Sequence, residues 1–118
     1  MSHDAPSRVE LLQGTLDLLI LRTLLAGPAH GHAIAKHIQR TSEDLLQVET
    51  GSLYPALHRL EAKGWIAPSW ELSNKGKRAR FYRLTPLGRR QLAAEQSKWD
   101  TFSRAMALIL NPVDQEAQ

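Results

Sequence analysis

The sequence predicts a mainly α-helical fold with one small β-hairpin, completed by a long C-terminal helix. Three observations carry that expectation. Apolar residues at helical spacing dominate the first half of the chain. Two strand-like runs, IAPSWEL and RARFYRL, flank a Ser-Asn-Lys-Gly-Lys turn. After Thr85-Pro86 a helical pattern runs unbroken to Leu110.

The chain has 118 residues, enough for one domain with one modest core. Its 42% hydrophobic fraction excludes a disordered chain. Residues 1–10 are polar, include Pro6 and read as a flexible arm. Next comes LLQGTLDLLILRTLL, residues 11–25. Here Thr15 is expected as the N-cap, with Asp17 in the first turn, where the helix dipole favours a negative charge. Leu18, Leu19, Ile20 and Leu21 point around more than one face, so this helix must be buried on several sides. In so small a domain, that points to a second subunit. Gly27-Pro28 ends the helix.

The second helix spans His30–Thr41, with Ile34 and Ile38 on one face and Lys36, Gln39 and Arg40 polar. The third spans Ser52–Lys63. Ser52 is expected as its N-cap and Pro55 as its third residue, where an N–H would have no intrahelical acceptor. Leu53, Leu57 and Leu60 form the inward stripe, and Gly64 closes the helix. Tyr54, Pro55, His58 and Arg59 make the outer face.

In the hairpin, Pro68 marks an edge strand or an irregular start. Alternation puts Arg80, Tyr82 and Leu84 on one face and Ala79, Phe81 and Arg83 on the other. Trp65 and Trp70 are expected to pack around the hairpin base. Thr85 as N-cap and Pro86 at the first position start the last helix, which Asn111-Pro112 stops. At a rise of about 1.5 Å per residue it should be about 38 Å long, more than this domain can cover alone. Leu92, Trp99 and Met106 recur every seven residues, with Phe102 and Ile109 three further on, an a/d-like seam for a partner helix. Residues 112–118 read as a flexible tail.

Charge then narrows function. Lys75, Lys77, Arg78, Arg80, Arg83, Arg89 and Arg90 put +7 into residues 75–90; the whole chain carries +3, so the other residues sum to −4. One basic stripe on a mildly acidic protein is the footprint of a nucleic-acid surface. Two helices joined by a turn and followed by a hairpin make a winged helix-turn-helix, in which the second helix of the pair enters the major groove. Residues 11–84 are therefore expected to bind double-stranded DNA, and residues 85–111 to form a dimerisation helix. The expected DNA contacts are Ser52, Tyr54, Pro55, His58 and Arg59, with Lys75, Lys77 and Arg78 as the wing tip. Not all seven cations can reach DNA, and Arg89 and Arg90 are expected to be partly structural.

LLQGTLDLLILRTL, GPAHGHAIAKHI, GSLYPALHRLEAKGWI and GKRARFYRLTPLGRRQL together resemble the PadR family of bacterial transcriptional regulators over about residues 11–110. The most specific stretch resembles G-[ST]-L-Y-x-A-L-x-R-L-E-x-x-G-x-I, and it occurs jointly with Y-x-L-T-x-x-G. That resemblance implies a homodimer of the short subclass that binds a roughly palindromic operator. It implies a C-terminal helix that crosses to the partner's first helix. It also implies a repressor released by a small aromatic effector, with Trp99 where an aromatic residue lines a central cavity and Phe102 and Met106 beside it. His32 departs from the family, where tyrosine is frequent.

Other classes fare worse. There is no cysteine, which excludes disulfides and thiolate zinc sites. His30, His32 and His37 lack helical metal-ligand spacing; His30 and His32, two apart, would not face each other on a helix. No phosphate loop, nucleophile elbow or metalloprotease motif occurs, and Asp17, Glu43 and Glu61 have no visible partner, so neither an enzyme nor a cofactor is expected. The start lacks a secretory signal and no apolar run approaches a membrane span, so a cytoplasmic protein without membrane contact is expected. Two alternatives stay open: a winged-helix protein-interaction module, and a small-molecule sensor without direct DNA binding.

Overall fold

In the computed structural model, residues 13–72 and 75–111 are described. The expected arm and tail, and the turn residues Ser73 and Asn74, lie outside them. The order is α1 (Gln13–Leu25), β1 (Ala29–His30), α2 (Gly31–Thr41), α3 (Thr50–Ala62), β2 (Ile66–Leu72), β3 (Arg78–Leu84) and α4 (Pro86–Leu110). Both hairpin strands and the last helix fall where the sequence places them.

The sheet has three antiparallel strands in the order β1-β3-β2. Ile66 pairs with Leu84 at its base and Leu72 with Arg78 near its tip. The two-residue β1 adds Ala29 opposite Tyr82 and His30 opposite Phe81. A strand this short shows no periodicity, so the sequence points only to a hairpin.

Leu16, Ile20, Leu21 and Leu24 from α1 meet Ile34 and Ile38 from α2 and Leu53, Ala56, Leu57 and Leu60 from α3. Ile66, Tyr82 and Leu92 close this core from the sheet and α4. Burying each of the large aliphatic side chains contributes about 1.5–3 kcal/mol. Between α2 and α3 the chain turns through Glu43 and Asp44, both at positive φ. Asp44 N–H bonds the Gln39 carbonyl at 2.9 Å, and the Ser42 hydroxyl accepts from Leu46 N–H at 3.1 Å.

Helix starts differ from the sequence expectation. α1 is already helical at Gln13, so Thr15 lies inside it and Asp17 lies beyond its first turn. α3 begins at Thr50, with Glu49 in the cap position and no side-chain cap. Ser52 N–H and Leu53 N–H both reach the Glu49 carbonyl, so the first turn is closed three residues earlier than a Ser52 cap would allow. Pro55 is consequently the sixth helical residue, and the bond it would have made to the Gly51 carbonyl is missing. Gly51 is exposed, and water can take that carbonyl.

α4 begins as expected. Thr85 Oγ1 accepts from Gly88 N–H at 3.0 Å and donates to the carbonyls of Gly64 and Trp65. Gly88 has a steric reason: a Cβ there would collide with the Trp65 carbonyl oxygen. This junction fixes α4 to the base of the wing. Beyond Leu92 the helix leaves the core, and most of its residues are exposed.

Candidate nucleic-acid interface

α3 is built with two unlike faces. Leu53, Ala56, Leu57 and Leu60 seat it on the core, while Ser52, Tyr54, Pro55 and His58 are exposed. Arg59 was expected on the outer face, but its Nη2 donates to Asp17 Oδ1 at 2.8 Å. Asp17 is the buried polar residue of the core, so this ion pair ties α3 to α1. The geometry makes Arg59 a strut for α3.

The basic stripe divides in the same way. Arg80 donates from Nη2 to both carboxylate oxygens of Glu61, at 3.1 and 2.9 Å, and its guanidinium lies 5.8 Å from the Tyr82 ring centre. Asp17 and Glu61 thus have partners that the sequence does not reveal. Lys75, Lys77 and Arg78 are exposed at the hairpin tip, and Arg83, Arg89 and Arg90 are exposed as well. Arg89 and Arg90, expected to be partly structural, lie on the surface near the start of α4. Trp70, expected to pack around the hairpin base, is also exposed, at 57%. Arg78 covers its ring at 5.2 Å. Trp65 does pack against the core, under Lys63.

Where α2, α3 and β3 meet, His30, Gly31, His32, Tyr54, His58, Ala79, Arg80 and Tyr82 surround a pocket of about 430 Å³. His30 caps α2, its Nδ1 accepting from Ala33 N–H at 3.1 Å. As a cap it escapes helical spacing, and its ring stacks on His32 with centres 6.4 Å apart. The two imidazoles therefore do face each other. The Tyr54 ring lies against Gly31, its Oη 2.9 Å from where a Cβ would stand. Burial pushes the Tyr82 hydroxyl above the usual phenol range; the Arg80 guanidinium pulls it back, and Glu61 and Tyr54 raise it further.

At the other end of the molecule, Trp99 and Phe102 have ring centres 5.9 Å apart on α4. With Gly14, Thr15, Leu18, Glu95 and Lys98 they line an open cleft of about 310 Å³ between α1 and α4. Met106 is exposed one turn beyond. Among the described residues no three His, Cys, Asp or Glu side chains are grouped to hold a metal, and no helix is long and apolar enough to cross a membrane.

Comparison with known proteins agrees with this geometry. The sequence profile of the transcriptional regulator PadR-like family matches residues 20–94. The chain belongs to the PadR-like family. A transcriptional regulator of Mycobacterium tuberculosis is 30% identical over 95 residues, which is 80% of this chain and 85% of that protein. The crystal structure of a PadR family transcription regulator from Clostridium difficile is 30% identical, with TM-score 0.71, and covers 81% of this chain and 98% of that one. One from Eggerthella lenta is also 30% identical, with TM-score 0.71, over 84% of each chain. PadR regulators are DNA-binding regulators of transcription and not enzymes.

Within this PadR-like chain the fold brings Ser52, Tyr54, Pro55 and His58 onto one exposed face of α3. Lys75, Lys77 and Arg78 lie on the wing, and Trp99, Phe102 and Met106 on the distal part of α4. Sequence reasoning missed Gly31, His30 and Tyr82 as pocket walls. The GH pair before Ala33 and the YRLT run held the signal, because a glycine packed under a tyrosine is a contact only glycine permits.

Proposed function

We propose that this PadR-like protein is a homodimeric, effector-responsive repressor that recognises a two-fold symmetric operator. α3 lies in the major groove, with Ser52, Tyr54, Pro55 and His58 toward the bases. Lys75, Lys77 and Arg78 hold the backbone alongside. One observation carries this reading: from Thr50 to His58 the outer face of α3 has no acidic residue, and a wing with a cationic tip follows it.

Homodimerisation is supported by the exposed apolar side of α4, where Trp99, Phe102, Met106, Ile109 and Leu110 all face solvent in the single chain. Such a stripe calls for a covering helix. The Trp99 cleft suits a small planar aromatic effector, being apolar and near the lower size limit of ligand sites.

Selection of bound duplexes from a random pool with purified protein tests the assignment. Recovery of inverted repeats with half-sites one helical turn, or a multiple, apart is the expected result. A monomer that selects no duplex at low salt would sink it. For the effector, a planar aromatic ligand should quench tryptophan fluorescence in the wild type but not in Trp99→Ala.

A further inference from the structure

α1 is shared between two sites. Gly14, Thr15 and Leu18 form one wall of the cleft that Trp99 and Phe102 close from α4. Asp17 stands among them in sequence but is buried, and its Oδ1 accepts from Arg59 Nη2 of α3 at 2.8 Å. Arg59 directly follows His58 of the exposed α3 face. One helix therefore lines the cleft and also holds the recognition helix. The link has a second arrangement open to it. Arg59 Nε is buried and has no hydrogen-bond partner among the described residues. A buried donor without an acceptor costs stability, so a geometry that satisfies it is favoured wherever the backbone permits. Nε–H and an N–H of Nη2 share one edge of the guanidinium, spaced to match the two oxygens of a carboxylate. Asp17 engages that edge through Nη2 alone. A small displacement of α1 against α3 converts this bond into a two-point fork. The opposite wall of the cleft is less free to move. Thr85 Oγ1 bonds the carbonyls of Gly64 and Trp65, and Gly88 packs against the Trp65 carbonyl, which fixes the base of α4. An occupant wedged between the two helices therefore bears on α1.

We propose that the Asp17–Arg59 pair couples the α1–α4 cleft to α3, passing from one bond to a fork when the cleft is filled and so re-aiming α3 on its operator. The assignment rests on the proposed effector cleft and docking of α3, and it names the side chains that join them. Arg59 is a positioning residue in this scheme and touches neither DNA nor effector. Coupling between distant sites requires an element with two discrete arrangements, and the half-used guanidinium edge supplies one. Arg80 Nε is also buried without a partner, but its carboxylate, Glu61, lies on α3 itself, and neither residue borders the cleft.

The chain has no cysteine, so Gly14→Cys supplies a unique thiol on the cleft wall, where an added Cβ meets nothing within 4 Å. Reaction with N-(1-naphthyl)maleimide tethers a planar aromatic ring there, and unlabelled Gly14→Cys is the reference. Labelling should weaken binding to a selected duplex about tenfold, a usual size for coupling between two sites. The Arg59 Nε–H resonance should move downfield as it gains the Asp17 acceptor. Asp17→Asn keeps one oxygen for Nη2 and replaces the other with an amide donor, so it can hold the single bond but not the fork. Arg59→Lys keeps the charge and likewise loses the fork, and it serves if Asp17→Asn fails to fold. In either background the label should change affinity by less than about twofold, as for independent sites. A pair that merely braces the fold would lower the affinity of labelled and unlabelled protein alike and leave the effect of the label intact. That result, or an Nε–H resonance that stays in place, overturns the coupling while the cleft survives as an effector site. A label without effect on a protein that still binds its duplex takes down both the coupling and the effector reading. A protein that binds no duplex takes down the docking of α3 as well.

Discussion

Arg59 and Arg80 each hold a carboxylate, at 2.8 Å from Asp17 and 2.9 Å from Glu61, while Lys77 and Arg78 face solvent a short way along the same molecule. In composition these four residues are equivalent. In the fold the first pair is held by carboxylates that tie α3 to α1 and to the sheet, and the second pair is surface charge. A basic stretch in a sequence counts cations. What a partner can use is what remains after interior carboxylates have taken theirs. Residues 75–90 carry +7, but Arg80 contributes nothing that is not already neutralised by Glu61.

The contrast can be broken most forcefully at Asp17. Asp17→Ala leaves the Arg59 guanidinium partly buried without its counter-ion. Removing one member of a fully buried pair costs about 3–5 kcal/mol. Arg59 retains 30% side-chain exposure, so about 2 kcal/mol is expected. Urea denaturation should show it, and an unchanged midpoint would mean that the pair does not brace α3. Glu61→Gln should cost less, about 1 kcal/mol, because both partners there are more open to water.

Tyr82 gives a pH-dependent version of the same comparison. Its folded pKa lies above the ordinary 10.0 through burial. The unfolded chain therefore loses this proton first, which favours unfolding. Tyr82 contributes its full stability below pH 10, and that contribution falls as pH rises through the folded pKa. Denaturation midpoints across the alkaline range should decline less steeply in Tyr82→Phe than in the wild type. Parallel declines would show that the hydroxyl is not desolvated.

The smallest stability effect is expected at the wing. Lys77→Ala and Arg78→Ala should each leave stability within about 0.5 kcal/mol. They should weaken binding to all duplexes alike and reduce the salt slope by about one unit per lost contact. A wing variant that unfolds as readily as Asp17→Ala, or that leaves the salt slope untouched, would erase the distinction between scaffold and surface cations.

Much of the frame was legible because its signals are local. Thr85 and Pro86 announce α4 with a hydroxyl cap and a preset φ, and the strands IAPSWEL and RARFYRL sit between a helix-closing Gly64 and that cap. Local signals also misled. Ser52 looks like a cap, but the helix begins three residues earlier and Glu49 occupies that position without a side-chain bond. Trp70 reads as a packing residue, yet it is exposed and meets the Arg78 guanidinium. His30 and His32 become neighbours only because His30 is a cap outside the helical repeat.

The amino-acid sequence by itself determined where the two hairpin strands and the last helix run, which apolar stripe of α3 turns inward and which residues begin α4, since those follow from backbone and burial preferences acting over a few positions. The tertiary structure alone decided which cations are spent. Arg59 meets Asp17 across 42 positions and Arg80 meets Glu61 across 19, and a pairing at such range exists only once the core has brought the helices and the sheet together.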